Sequence, residues 1–235
     1  MTDHISKSFE EDLLRLKDLV IVMGGLTIRQ LDGALQAAEG SDTSIATRVI
    51  EREPEADRLE HEIDGLVIRI LALRQPMAVD LRHALSALRI ANELERICDH
   101  AKDFAQRLIA LAAGGNARLR SLINLGRFAT VMVKDAMRAY QEADDRQAED
   151  VWHRDRVLDE MYTGLFRELL TYMAEDARRI SASVQMLFMA RDIERVGDRA
   201  TNIAEMVRYL VGGLPVEEAR QKADATKSMI LSPPL

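Results

Sequence analysis

The chain repeats itself after about a hundred residues, and the repeated unit is made of long amphipathic helices. Near the end of each copy, apolar residues recur at alternating steps of three and four, the spacing of a helix buried along one stripe. The first stripe is Ile90, Leu94, Ile97, Ala101, Phe104, Leu108 and Leu111, and each member has a counterpart 99 residues later, from Met189 to Leu210. Two repeats are too few for an open solenoid, so we expect two compact helical units side by side.

Breaks rich in Gly, Asp and Pro divide the chain into six helical segments. They lie at 40–42, 74–76, 114–116, 143–145, 175–176 and 212–215. Segments two and five correspond at an offset of 102, and segments one and four correspond more weakly, through Leu35 and Met137. The pattern predicts an all-α fold built as a tandem pair of three-helix bundles. We expect the first repeat at 1–114, the second at 115–213 and a peripheral tail at 214–235. Pro54 predicts a kink or break near Arg52.

The amino-acid composition disfavours several classes of function. The 235 residues carry 32 basic and 39 acidic side chains, a formal charge of −7, which disfavours nucleic-acid binding. Aromatic residues are only 4%, so stacking on bases is also disfavoured. Cys98 is the only cysteine, which excludes an intramolecular disulfide and favours a reducing compartment. We find no apolar run of about 18 residues that would span a membrane, and we expect a cytoplasmic protein.

Acidic side chains four residues apart recur at equivalent positions of the two repeats. Because such residues share a helix face, and because packing the second helix of a repeat on the third would bring two pairs together, we expect the carboxylates to converge. Crowded carboxylates resist ionisation unless a cation joins them, and oxygen ligands suit Mg²⁺, Ca²⁺, Mn²⁺ or iron. The candidate metal ligands are Glu53, Asp57, Glu95, Asp99 and Asp103 in the first repeat, and Asp155, Asp159, Glu194, Asp198, Asn202 and Glu205 in the second.

Two other interpretations of these acidic faces stay open. A carboxylate-bound metal could activate water, which would make the chain a metal-dependent hydrolase. No general base or oxyanion donor accompanies the acids in the sequence. A helical adaptor without metal would carry the same residues as solvated helix faces paired with arginine.

Four sequence motifs resemble those of the PhoU family. Residues 73–82, LRQPMAVDLR, are similar to its RQP-A-DLR hallmark, and residues 95–100, ERICDH, to its LERIGDH signature, with Cys98 where glycine is usual. Residues 194–205, ERVGDRATNIAE, are similar to ERIGDHA-NIAE, and residues 23–26 to MGGL. The resemblance covers about residues 8–213.

The resemblance implies two three-helix bundles in a non-enzymatic cytoplasmic protein that restrains phosphate uptake and the phosphate-starvation response. The implied partners are the ATPase subunit of the phosphate transporter and the sensor histidine kinase, with membrane contact only through partners, no nucleic acid and a possible homodimer. It also implies multinuclear metal sites, of iron, zinc, magnesium or manganese, on the four acidic pairs. Asp103 and Gln106 replace the Asn and Glu of the family's extension, which argues against equal occupancy of the two sites.

Overall fold

Six helices in two sets of three make up the chain. The computed structural model describes residues 2–74, 76–112, 119–213, 223–224 and 226, and no strand occurs among them. The helices are α1 (Thr2–Gly40), α2 (Thr43–Arg74), α3 (Val79–Ala112), α4 (Arg120–Glu142), α5 (Asp145–Glu175) and α6 (Ile180–Gly212), with a 3₁₀ turn at Ala177–Arg179. The all-α prediction is therefore confirmed. None of the described helices has a stretch apolar enough to cross a membrane.

The helices end where the sequence places turn residues. Gly213 adopts a left-handed conformation, with φ 76°, after α6, as glycine commonly does beyond a helix. Asp144 caps α5, because its side chain accepts hydrogen bonds from the backbone N–H groups of Arg146 and Gln147 at 2.9 and 3.1 Å.

The expected break in the second helix does not occur. Helix α2 runs without interruption through Pro54. Proline leaves one backbone carbonyl of the preceding turn without its helical donor. Pro54 is exposed, so water can hydrogen-bond to that carbonyl and the helix can continue.

The predicted apolar stripes form the core. All seven positions of the α3 stripe and all seven of the α6 stripe are buried. Burial of leucine and isoleucine side chains of this kind contributes about 1.5–3 kcal/mol each, so these stripes are a main source of the free energy that folds the chain.

Helices α3 and α6 join the two repeats through matched polar contacts. Glu93 on α3 meets Arg199 on α6 at 3.3 Å. The equivalent residues, displaced by 99 positions, are Asp192 on α6 and His100 on α3, and they meet at 3.8 Å. Since the contacts pair residues in opposite order, the two helices run antiparallel, and an approximate two-fold relation exchanges the repeats.

Helices α1 and α4 are related by the same approximate two-fold symmetry. A β-carbon added to Gly24 would lie 2.5 Å from Cε of Met137, and one added to Gly126 would lie 2.4 Å from Cδ2 of Leu35. Gly24 with Gly126, and Leu35 with Met137, are equivalent at the offset of 102. Each repeat therefore inserts one large side chain against a glycine of the other.

Packing within the two repeats differs at equivalent positions of the second and third helices. In the second repeat, a β-carbon on Gly197 would lie 2.0 Å from Cδ2 of Leu158. The equivalent residues of the first repeat are Cys98 and Ala56, both fully buried. The larger side chain lies on α5 in one repeat and on α3 in the other.

This difference between the repeats predicts that substitutions at positions 158 and 197 have non-additive effects on the free energy of unfolding. We expect Gly197→Cys to destabilise the protein by about 1–3 kcal/mol through overpacking, and Leu158→Ala by about 2–5 kcal/mol through a cavity. The double variant reproduces the first repeat's pair, so its loss should be smaller than the sum by about 0.5–3 kcal/mol. Urea unfolding measures each free energy.

Gly65→Ala is the control for this double-mutant comparison. Open space surrounds Gly65, and alanine favours a helix interior by up to about 1 kcal/mol, so this substitution should not destabilise the protein. Strictly additive losses at 158 and 197 would contradict the packing exchange.

Candidate metal sites

The first acidic site, defined as Glu53, Asp57, Glu95 and Asp99, lies where α2 packs on α3. The Asp99 carboxyl group makes side-chain hydrogen bonds with both Glu53 and Glu95. The Lys102 ammonium lies 2.9 Å from Glu53 Oε1 and 3.9 Å from Asp99 Oδ1. Glu53, Glu95 and Asp99 therefore lie close together at the contact of α2 with α3, with the Lys102 ammonium beside Glu53 and Asp99.

Crowding makes ionisation of this site unfavourable. Partial burial, then Asp99 and Glu60, raise the pKa of Glu95 to about 7. Burial also raises the pKa of Asp99, against the opposing effect of Lys102. Burial, the largest cause, disfavours the charged form of both carboxyl groups, and neighbouring carboxylates raise the pKa of Glu95 further.

The second acidic site, defined as Asp155, Asp159, Glu194 and Asp198, is enclosed. Asp155, Asp159 and Glu194 are only 1–3% exposed, whereas the Asp99 side chain of the first site is 48% exposed. Oδ1 of Asp155 accepts a hydrogen bond from the Thr201 hydroxyl at 3.3 Å. Three of the four carboxylates of this site are thus covered in the second repeat.

Part of the cover comes from residues beyond α6. The backbone N–H of Ala223 donates to Asp159 Oδ2 at 2.8 Å. The Arg191 guanidinium lies 3.4 Å from Glu194 and 3.4 Å from Asp224, whose side chain is only 3% exposed. The tail, expected to be peripheral, therefore packs on the second site at its described residues. Arg191 supplies positive charge there.

Two of the outlying candidate ligands make hydrogen bonds with residues outside the two acidic sites. Asn202 donates to Glu93 at 3.1 Å, and Glu205 accepts from the indole N–H of Trp152 at 3.1 Å. These two side chains thus hold α6 to α3 and to α5.

Asp103 belongs to a different group, which the sequence did not indicate. His100, Asp103 and Asp192 place one ligand atom each within 4.8 Å of one another. Their side-chain types could hold a metal ion. Arg107 already donates to Asp192 at 3.2 Å, however, and burial lowers the pKa of His100 to about 4. The 99-residue offset could have indicated the contact of His100 with Asp192. It makes these residues equivalent to Arg199 and Glu93, which contact each other as well.

Cys98 is not placed for chemistry. Its side chain is fully buried, and burial raises the pKa of its thiol to about 12. The thiol donates to the Thr27 hydroxyl at 3.4 Å. A protonated buried thiol is a poor nucleophile, so we interpret the residue as structural.

Comparison with known proteins identifies the family. The PhoU domain model matches residues 20–108 and 122–207, one match in each repeat. The chain belongs to the PhoU family. A PhoU homolog described as a phosphate-specific transport system accessory protein, from Caulobacter vibrioides, is 41% identical over 226 residues, covering 95% of this chain and 98% of the relative. The Escherichia coli accessory protein PhoU is 37% identical over 214 residues, covering 91% and 89%.

Two solved PhoU structures share the fold. The protein from Pseudomonas aeruginosa superposes with a TM-score of 0.85 at 37% identity and covers 88% of this chain and 100% of its own. The phosphate transport system regulatory protein from Streptococcus pneumoniae gives 0.83 at 26% identity, covering 89% and 100%. The two-repeat architecture is therefore shown for this PhoU chain.

The two acidic sites of this family member differ in their fit to a cation. The first offers oxygen ligands whose pKa values are raised chiefly by burial, and oxygen ligands suit a hard divalent ion. In the second, Thr201, Ala223 and Arg191 contact the carboxylates. A cation entering there would compete with them.

The raised pKa of Glu95 predicts a pH-dependent effect of neutralising it. Its neutral form is favoured on folding, so its contribution to stability is lost as pH rises from about 4.5 through about 7. With metal removed by chelator, Glu95→Gln should therefore raise the melting temperature, relative to wild type, more at pH 8 than at pH 5. Differential scanning fluorimetry measures this difference.

Glu51→Gln, at an exposed position on the neighbouring helix α2, controls for the general effect of removing one carboxylate. An equal shift for Glu95→Gln at both pH values would show that Glu95 ionises normally.

Proposed function

We propose that this chain is a non-enzymatic accessory protein that restrains phosphate uptake and the phosphate-starvation response. The observation that carries the proposal is its identity of 37–41% to named phosphate-transport accessory proteins over at least nine-tenths of the chain. The proposed partners are the ATPase subunit of the phosphate transporter and the sensor histidine kinase. The protein would act in the cytoplasm and reach the membrane through these partners; a homodimer stays a prediction.

Long, rigid helices suit a docking role. Helices of 23–39 residues present extended faces, and the antiparallel α1–α4 and α3–α6 contacts fix the two repeats relative to each other. Partners that bind different repeats would thus be held at a set distance. This is how a chain without catalytic machinery would link a transporter to a kinase.

The cellular test is alkaline phosphatase activity in a deletion strain of the source bacterium grown in high phosphate. The proposal expects high activity in the deletion strain and low activity when the intact gene is restored. Low activity in the deletion strain would contradict a repressive role.

We further propose that the first acidic site binds a divalent cation and that the second binds one more weakly. Oxygen-only ligands favour Mg²⁺, Mn²⁺ or iron over zinc, whose structural sites prefer Cys and His. Glu53, Glu95 and Asp99 would hold the ion, and Lys102 would give up its contacts with them. The bound ion would neutralise the crowded carboxylates and stabilise the folded state in proportion to its concentration.

Equivalent substitutions in the two repeats separate the sites. Asp99→Asn should weaken Mn²⁺ binding by about tenfold or more, since it removes a carboxylate ligand from the more exposed site. Asp198→Asn, at the equivalent position of the second repeat, should leave the tightest binding step within about twofold. Isothermal titration of the chelator-treated full chain with Mn²⁺ measures both. Equal losses would contradict the proposed order of the sites.

A further inference from the structure

A basic groove runs between α1 and α2, away from the first acidic site. It has a volume of about 300 Å³, and Arg29, Arg48 and Arg52 line it. The two helices approach closely at its floor, because a β-carbon on Gly33 would lie 3.1 Å from Cγ2 of Val49. We call this feature the arginine groove.

The arginine groove has acidic neighbours, Asp32 in its lining and Asp42 near Arg48. Among the residues that the structure describes, however, no carboxylate forms a direct ion pair with Arg29, Arg48 or Arg52. Arg48 donates only to the Ser44 hydroxyl, at 3.4 Å. Asp32, the acidic residue of the lining, instead accepts from Lys134 at 3.0 and 3.1 Å.

The second repeat does not keep this arrangement. At the offset of 102, Val131 replaces Arg29 and Asp150 replaces Arg48. The remaining arginine, Arg154, forms ion pairs with Asp135 at 2.9 Å and with Asp150 at 2.5 Å. In the second repeat, carboxylates of the chain itself therefore neutralise the arginine at this position. In the first repeat, no carboxylate of the described residues forms an ion pair with the equivalent arginine, Arg52.

From this geometry we propose that the arginine groove docks an acidic segment of a protein partner. Guanidinium groups pair with carboxylates through two parallel hydrogen bonds. Arg48 and Arg52 lie one turn apart on α2, and Arg29 faces them from α1, so the charges are spread along the groove. Several carboxylates on one extended segment match that spacing, whereas a single inorganic anion would be exposed to solvent and screened. This surface goes beyond the proposed function.

The test measures binding of a fluorescein-labelled peptide rich in glutamate to the full chain at low salt, by fluorescence anisotropy. The triple variant Arg29→Gln, Arg48→Gln, Arg52→Gln should bind the peptide at least about tenfold more weakly. It removes three contacts, each of which strengthens binding by up to about fivefold. Raising the salt to 0.5 M should weaken wild-type binding strongly.

The matched control replaces three arginines outside the groove by glutamine. Arg127, Arg138 and Arg156 are 60–63% exposed, and their loss changes the net charge equally. This control should bind the peptide within about twofold of wild type, and circular dichroism verifies that both variants are folded.

Three results would overturn the proposal. One is equal weakening of peptide binding in the two triple variants. Another is binding of inorganic phosphate, but not of the peptide, that depends on the groove arginines. The third is groove-dependent self-association in sedimentation, which would make a second copy of this chain the occupant.

Discussion

The antiparallel contact of α3 with α6 is the constraint on which the rest of the molecule depends. These helices carry the two apolar stripes, and both stripes are buried along their whole length. Glu93 contacts Arg199, and His100 contacts Asp192, so the two helices are linked in this register at two points of their interface. Once this register is set, α2 and α5 can pack only on the outer sides, where each completes an acidic site. The position of both sites thus follows from one interface.

Duplication produced a symmetric frame but unequal surfaces. The core tolerates an exchange of volume between helices, as the Cys98 and Gly197 positions show. The surfaces diverge further: the acidic pairs are half-open and short of cations in the first repeat, while Arg191 and the residues at 223–224 cover them in the second. The groove arginines of α1 and α2 form no ion pair among the described residues, whereas Arg154, the one arginine kept at an equivalent position, pairs with Asp135 and Asp150. A symmetric frame with different faces suits a protein that meets different partners.

The sequence predicted the elements and the core, because both depend on local signals. Helix ends follow Gly, Asp and Pro, and the stripes follow the helical period, so six helices and their buried faces were predictable. The convergence of Glu53, Glu95 and Asp99 followed from packing α2 on α3. The cover of the second site did not, since Ala223 and Asp159 are 64 residues apart and a polar tail has no periodicity. Nor was the continuity of α2 at Pro54 predictable, because it depends on solvent access to one carbonyl.

One duplicated frame thus presents two inequivalent acidic sites. The most direct measurement is anomalous diffraction from crystals of the full chain soaked in Mn²⁺ at increasing concentration. The account predicts that the first anomalous peak appears among Glu53, Glu95 and Asp99, with Lys102 displaced, before any peak near Asp159. A first peak at the second site, or equal peaks at both sites throughout the series, would contradict it.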